Sequence, residues 1–379
     1  MTPAVLAASK GATWRDRWLS FRDRCLSSPV FQRRASAFLL TRPTARRHAR
    51  ELFDLVAGFV YSQVLLACVQ LRLFEILAEG PQSIEVLAGR LDLPEEAARR
   101  LLAAAVSLRL VECRSGDRYG LGELGAPMVG NRAVAAMVEH HTALYADLAD
   151  PVALLRAPAG RGALAGYWPY ADAQAPSSLT GEHVATYSTL MAASQPLVAD
   201  EILDAYDLAK HQRLLDVGGG DGSFLTAAAA RVPSLELMLF DLPAVAERAR
   251  ARFQHAGLAP RASVFGGSFL TDALPQGADV ASLVRVIHDH DETSAMSILR
   301  AVRQALPAHG RLLLAEPMAG THGAEPMGDA YFGFYLLAMG KGRPRSAAEL
   351  IAMLGAAGFR TARLVPTRMP LQTQLIVAH

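Results

Sequence analysis

Residues 201–379 alternate short apolar runs with amphipathic stretches, and few folds accommodate that alternation. RLLDVG (213–218), LELMLFDL (235–242), ASVFGGSF (262–269), DVASLVRVIH (279–288) and RLLLAEPM (311–318) read as strands. Between them GSFLTAAAARV, AVAERARARFQHAG and ETSAMSILRAVRQAL each carry a helical apolar stripe. The repetition predicts the α/β class: a doubly wound, Rossmann-like parallel sheet with helices on both faces and a ligand site at the carboxyl ends of the strands. After a helix over SAAELIAMLGAAGF (346–359), RTARLVP and LQTQLIVAH predict a closing hairpin.

Upstream, residues 51–200 are helical and rich in Ala and Leu. SIEVLAGRLDL from Ser83, then PEEAARRLLAAAVSLRLVE from Pro94, then the hairpin CRSGDRYGLGELG, form the order of a winged-helix unit. Residues 83–111 balance Arg90, Arg99, Arg100 and Arg109 against Glu85, Asp92, Glu95 and Glu96. A surface that reads DNA is basic, so this unit is expected to contact a second subunit and no nucleic acid. The expected division is a basic arm over 1–50, a helical, winged-helix-like subunit-contact domain over 51–200, and an α/β ligand-binding domain over 201–379.

The 379 residues are 51% hydrophobic and 20% charged, as in a globular protein of several domains. No run approaches the roughly 18 uninterrupted apolar residues of a membrane span, so no crossing is expected. Cys25, Cys68 and Cys113 lack any spacing for a disulfide framework or a zinc site, which fits a reducing compartment, and the N-terminus has no cleavage site of a secretory signal. A cytoplasmic location is expected.

Asp216-Val217-Gly218-Gly219-Gly220-Asp221-Gly222 follows the first strand and precedes a helix. Glycines there allow left-handed backbone and close approach of a ligand to free N–H groups. The nicotinamide pattern fails, since Ser223 stands where its third glycine belongs. Asp241 ends the second strand in Phe240-Asp241-Leu242-Pro243, where an acid can accept hydrogen bonds from both ribose hydroxyls. After the fourth strand comes His288-Asp289-His290-Asp291-Glu292, whose His288 suits a general base. Two histidines two apart can also share a metal, but no metal is expected here. Glu316 ends the fifth strand at the same edge, where a carboxylate can fix the imidazole tautomer.

LLDVGGGDG, FDLPAV, GGSF, VIHDHDE, LLLAEPM and GKGRPRS, in that order behind a winged-helix region, resemble the cation-independent small-molecule O-methyltransferases, the family of the caffeate and hydroxyindole enzymes. The resemblance implies a class I methyltransferase fold, S-adenosyl-L-methionine as cofactor and an N-terminal domain that forms a homodimer. By matched position it implies cofactor binding by Asp216, Gly218, Gly220, Asp241, Leu242, Ser268 and Phe269. It implies His288 as base, Glu316 as its orienting carboxylate, and Asp289 as the residue that follows the base. Two positions depart from the pattern: Ser268 stands where the family has an acid, and Pro344 where it has a second glutamate.

The run Tyr331 to Met339, with Met318, Met327 and Met191, offers an aromatic and Met-rich wall suited to a greasy acceptor. The arm holds Lys10 and ten arginines against Asp16 and Asp23, a charge of +9, while the other 329 residues carry −7. On a helical wheel Trp14, Trp18, Phe21 and Cys25 fall within about 60°, with arginines 15, 17, 22 and 24 on both flanks and the two acids opposite. That pattern fits a helix lying in a membrane interface, or one packed on a dimer mate. The run from Trp18 to Ala67 resembles the N-terminal region of the demethylspheroidene O-methyltransferases of photosynthetic bacteria, which implies a tertiary 1-hydroxyl of an acyclic carotenoid as acceptor. Phenolic, polyketide or bacteriochlorophyll acceptors, and a ligand-sensing regulator, are the rival readings.

Overall fold

The computed structural model describes residues 13–156, 162–165, 195–371 and 373–379. The chain parts into two compact units, one up to Leu124 and one from Gly125 onward.

In the first unit, α1 (Trp14–Leu26) starts at a capping box between Thr13 and Asp16, and α2 (Pro29–Ala37) at Ser28, whose side chain accepts from Phe31 N. α3 (Arg42–Gln70) and α4 (Leu73–Ala78) follow, then β1 (Gln82–Ser83), α5 (Ile84–Leu91), α6 (Glu95–Ser107), β2 (Val111–Arg114) and β3 (Arg118–Leu121). The strands pair in the order β1-β3-β2, so helix, helix and hairpin make the expected winged-helix unit. α6 is shorter than its periodicity predicts. Arg109 turns the chain with φ 61°, and the residues from Val111 on become β2 because their N–H groups and carbonyls pair with β3. Glu95–Arg99 and Glu96–Arg100 ion pairs run along the helix itself.

α3 is 29 residues long and contains an 18-residue stretch of mean hydropathy 1.9, of which 17% is buried within the chain, so it meets the length and composition of a membrane span although no uninterrupted apolar run of that length is present. Gly58, Ser62 and Gln63 interrupt its apolar residues, which is why a search for an unbroken run passes over it.

The second unit opens with α7 (Arg132–Asp147) and α8 (Pro151–Arg156), followed by α9 over 195–205. The boundary at 124/125, rather than 200/201, has a packing reason: Leu144 of α7 shares a buried cluster with Tyr335, Leu336 and Met339 far along the chain.

Seven strands follow: β4 (Arg213–Val217), β5 (Glu236–Asp241), β6 (Ala262–Gly266), β7 (Val280–Val284), β8 (Arg311–Glu316), β9 (Ala362–Val365) and β10 (Gln374–Ala378). They order as β6-β5-β4-β7-β8-β10-β9, parallel from β6 to β8, with β10 antiparallel to both its neighbours. Successive side chains point to opposite faces, so each strand serves two cores. Leu215, Val217, Leu312 and Leu314 pack with α12 (Glu292–Ala305) and α14 (Ala347–Ala356). Leu214, Leu237, Leu313 and Leu375 face the other way, against α9, α10 (Ser223–Arg231) and α11 (Pro243–His255).

Gly222 opens α10 with φ 81°, and a Cβ there would lie 2.7 Å from the buried ring of Phe253. Gly222→Ala combines left-handed strain with overpacking, and is expected to cost about 2–4 kcal/mol of stability. Urea unfolding followed by circular dichroism measures it.

Candidate active site

β4, β5, β7 and β8 bring their carboxyl ends together, and the residues singled out above converge there. Strand parity puts Asp216 on the same face as Leu214, and register places it beside Ser282 of β7. Ser282 Oγ donates to Asp216 Oδ1 at 2.7 Å, while Oδ2 is buried with no hydrogen-bond partner among the described residues. Burial pushes this carboxyl up to about 7, helped by the charge of Asp241.

The chain then turns through Gly218, Gly220 and Gly222, all left-handed. At Gly218 a Cβ would lie 2.9 Å from Val286 and 3.6 Å from Phe269, whereas the space in front of Gly220 is open. Gly220 N–H donates to Asp241 Oδ2 at 2.8 Å and Leu242 N–H to Oδ1 at 2.7 Å. Burial raises Asp241 to about 6 against the pull of those two donors. Asp221 points elsewhere: it caps Ser223 at the start of α10 and pairs with Arg252.

Ser268 lies buried in the loop after β6, where its N–H donates to Asp272 Oδ2 at 2.8 Å. Phe269 meets His290 edge to face at 5.3 Å and so ties the loop after β6 to the loop after β7.

These groups fit S-adenosyl-L-methionine. Asp216 Oδ2 is an orphaned, buried acceptor, the open face of Gly220 leaves room for a ligand against backbone, and Asp241 keeps lone pairs beyond the two it uses. Raised carboxyls at both ends of the turn favour a ligand that brings positive charge and hydroxyl donors.

β7 ends at Val284, so His288 stands on the turn Ile287–Asp289 and not on the strand itself. Glu316 holds that turn: its Oε1 accepts from Val286 N at 3.0 Å and Ile287 N at 2.7 Å, and its Oε2 pairs with His288 Nδ1. Asp289 Oδ1 lies 3.1 Å from His288 Nε2. The imidazole therefore sits between two carboxylates although Pro344 replaces the family's second glutamate. Burial disfavours its charged form, but Asp289 and Glu316 outweigh burial and raise the His288 pKa. Burial pushes Asp289 up to about 6 and His290 down to about 4. Asp291 and Glu292 start α12, Asp291 Oδ1 accepting from Ser294 N. Among the described residues no three His, Cys, Asp or Glu side chains are grouped to hold a metal.

Three supports went unread in the sequence. Arg285 adopts φ 56°, donates its N–H to Ala315 O and its guanidinium to Gln195, and places a cation near His288 and Asp289. Arg345, 2% exposed, donates to the carbonyls of Ile287 at 2.8 Å and His290 at 2.9 Å, spanning the turn that carries His288. Gly342 packs so closely that a Cβ would lie 2.1 Å from His288 O, and Arg343 N–H donates to that same oxygen. Gly342, Arg343 and Arg345 all lie in GKGRPRS, beside the Pro344 that departs from the family pattern.

An aromatic wall faces His288. A π-helical turn, Pro326–Phe332, runs into α13 (Gly333–Met339), and Phe332 sets its edge against the His288 ring at 5.9 Å. Tyr331 OH bonds His141 Nε2 at 2.7 Å and Tyr335 OH bonds His140 Nε2 at 2.9 Å. Burial lowers both histidines, so this lining is uncharged at neutral pH. Met318 and Met339 are core, Met327 lies in the π-helical turn, and Met191 falls outside the described residues.

Fold, glycine turn and histidine–carboxylate pair define a class I, S-adenosyl-L-methionine-dependent O-methyltransferase, and the sequence agrees. It matches the O-methyltransferase domain family over residues 146–360 and the O-methyltransferase dimerisation domain family over 53–131, so the chain belongs to this enzyme family. It is 45% identical to the demethylspheroidene O-methyltransferase of Cereibacter sphaeroides over 94% of this chain and 93% of that protein. It is 43% identical to the demethylspheroidene O-methyltransferase of Rhodobacter capsulatus over 90% of this chain and 84% of that one. Among solved structures, CalO1, a methyltransferase in calicheamicin biosynthesis, in its SAH-bound form superposes with a TM-score of 0.72 at 28% identity, covering 88% of this chain and 98% of that one.

Gly342→Ala forces the His288 turn to move and is expected to lower kcat by about 10–100-fold, since displacement of a reacting group by an ångström has that effect. Methyl-transfer kinetics at saturating cofactor, beside a circular dichroism spectrum of the variant, measure it.

Proposed function

We propose that this enzyme, acting as a homodimer, methylates the tertiary 1-hydroxyl of an acyclic carotenoid, with His288 as general base. The near full-length match to two demethylspheroidene O-methyltransferases carries the acceptor assignment. The uncharged wall of Phe332, Tyr331 and Tyr335 beside the base supports it, because a long hydrocarbon gains from such a lining and a charged acceptor does not. A membrane-dissolved acceptor makes the enzyme peripheral on the cytoplasmic face of a membrane, with residues 14–25 as the contact.

In this reading Gly218 and Gly220 admit the cofactor to the backbone, Asp216 faces its methionine end, and Asp241 with Leu242 holds the ribose. Ser268 and Phe269 border the adenine. S-adenosyl-L-methionine, when bound, supplies a sulfonium methyl group. Glu316 accepts the Nδ1 proton of His288 and so directs the Nε2 lone pair outward. The acceptor hydroxyl would displace Asp289 from Nε2 and give up its proton there, while the methyl group passes to the acceptor oxygen from the sulfonium of the bound cofactor, whose sulfur keeps the bond's electron pair and leaves as a neutral thioether. Glu316 and Asp289 stabilise the imidazolium that results, and Arg345, Gly342 and Arg285 keep the turn fixed.

His288→Ala is expected to lower turnover at least about 100-fold while cofactor binding by calorimetry is kept; near-full activity would remove His288 as base. Turnover should rise with pH as His288 loses its proton, with a midpoint above the ordinary histidine value because the two carboxylates raise it. Glu316→Gln removes one negative charge, so the midpoint should move to lower pH and the plateau should fall with the weaker base. Radiolabelled methyl transfer to detergent-dispersed 1-hydroxycarotenoids and to phenols tests the acceptor. Label on phenols alone rejects the carotenoid.

A further inference from the structure

The N-terminal surface of the first unit presents bulky apolar side chains to solvent. Trp14 is 81% exposed, and Trp18 and Phe21, whose rings lie 5.9 Å apart, are more than half exposed on the same sector of α1. A second apolar point is visible only in the structure. Phe38, Leu39 and Leu40 form the connection between α2 and α3, and Leu39 and Leu40 are 72% and 78% exposed. Neither group is a folding core: α1 and α2 contain no buried residue.

Arginines surround both. Arg15, Arg17, Arg22 and Arg24 flank the α1 sector, and Arg33, Arg34, Arg42, Arg46 and Arg47 flank the connection. Among the described residues only Arg22 and Arg47 of this set form ion pairs. Asp16 is committed to capping α1. Ten arginines face two acids in residues 13–50, so the surface complements an anionic partner.

Two occupants compete, a second copy of this chain and a lipid surface. The family's dimerisation domain begins at residue 53, so exposed residues of α3 such as Leu55, Val56 and Phe59 fall within it, whereas α1, α2 and Phe38–Leu40 precede it. A second copy would also bring +9 against +9. We propose that α1 and the Phe38–Leu40 connection dock the enzyme on an anionic phospholipid bilayer. Trp14, Trp18, Phe21, Leu39 and Leu40 enter the interfacial layer, and the arginines reach headgroup phosphates. Tryptophan suits this depth because its ring is apolar and its N–H finds partners there. The proposal rests on the reading that the acceptor is membrane-dissolved, and gives that acceptor its route of delivery.

Flotation of the full chain with vesicles tests it. Phosphatidylcholine vesicles containing a quarter phosphatidylglycerol should carry the protein upward, pure phosphatidylcholine vesicles much less, and raised salt should reduce binding. Trp14→Ser with Trp18→Ser and Phe21→Ser, and separately Leu39→Ser with Leu40→Ser, should each weaken binding at least tenfold. Oligomeric mass and methyl transfer to detergent-dispersed acceptor should stay unchanged. Equal flotation of variants and wild type overturns the proposal, as does a variant that changes oligomeric mass, which would assign the face to a second copy. Failure of methyl transfer by the wild type to hydroxycarotenoid in detergent would reject the acceptor instead, independently of flotation.

Discussion

The carboxylate of Glu316 accepts from three donors at once: the backbone N–H groups of Val286 and Ile287 and the Nδ1 position of His288. Because Glu316 ends β8 while those three residues follow β7, one side chain joins two adjacent strands at the edge where the site forms. The rest of the site is arranged around that junction. Val286, fixed by it, closes over Gly218, and Phe269 packs at the same glycine and on His290. Arg345 and Arg343 hold the turn's carbonyls from the other side. A buried carboxylate satisfied by two backbone donors is costly to move, so the imidazole it holds has one position available.

Much of this was legible in the sequence wherever a local pattern encodes it. The five parallel strands, the glycine turn, the acids ending β5 and β8, and the histidine after β7 all follow from apolar runs that stop at polar residues. What escaped was held by contacts between distant residues and backbone. Arg345 serves carbonyls more than fifty positions away, and a carbonyl leaves no mark on sequence. Gly342 reads as any loop glycine until its approach to His288 O is seen. Arg285 is left-handed without being glycine, a strain that only its tertiary partners explain. Likewise α7 is helical like its predecessors, and only its packing with α13 shows which compact unit it belongs to.

Charge is sorted along this molecule more sharply than its sum of +2 conveys. Asp216, Asp241 and Asp289 lie where burial raises their carboxyls, so the pocket is lined by acids that a cationic ligand would stabilise in their ionised form. Nine of the ten arginines of the first fifty residues are exposed, and Arg42 is half-buried. One end of the chain thus attracts anions and the catalytic end attracts a cation, and neither property depends on overall charge.

The order of strands in the sheet has a consequence for how the protein is made. β10 lies between β8 and β9, although β9 precedes it in the chain. While the nascent chain emerges from the ribosome, β9 therefore has no strand to pair with, and the edge of β8 stays open until residues 374–378 arrive. The parallel part of the sheet can assemble before residues 374–378 are made, but its closure cannot. Until then the apolar faces of β8 and α14 await Leu375, Ile376 and Val377, and for that interval the six-residue edge of β8 is unpaired.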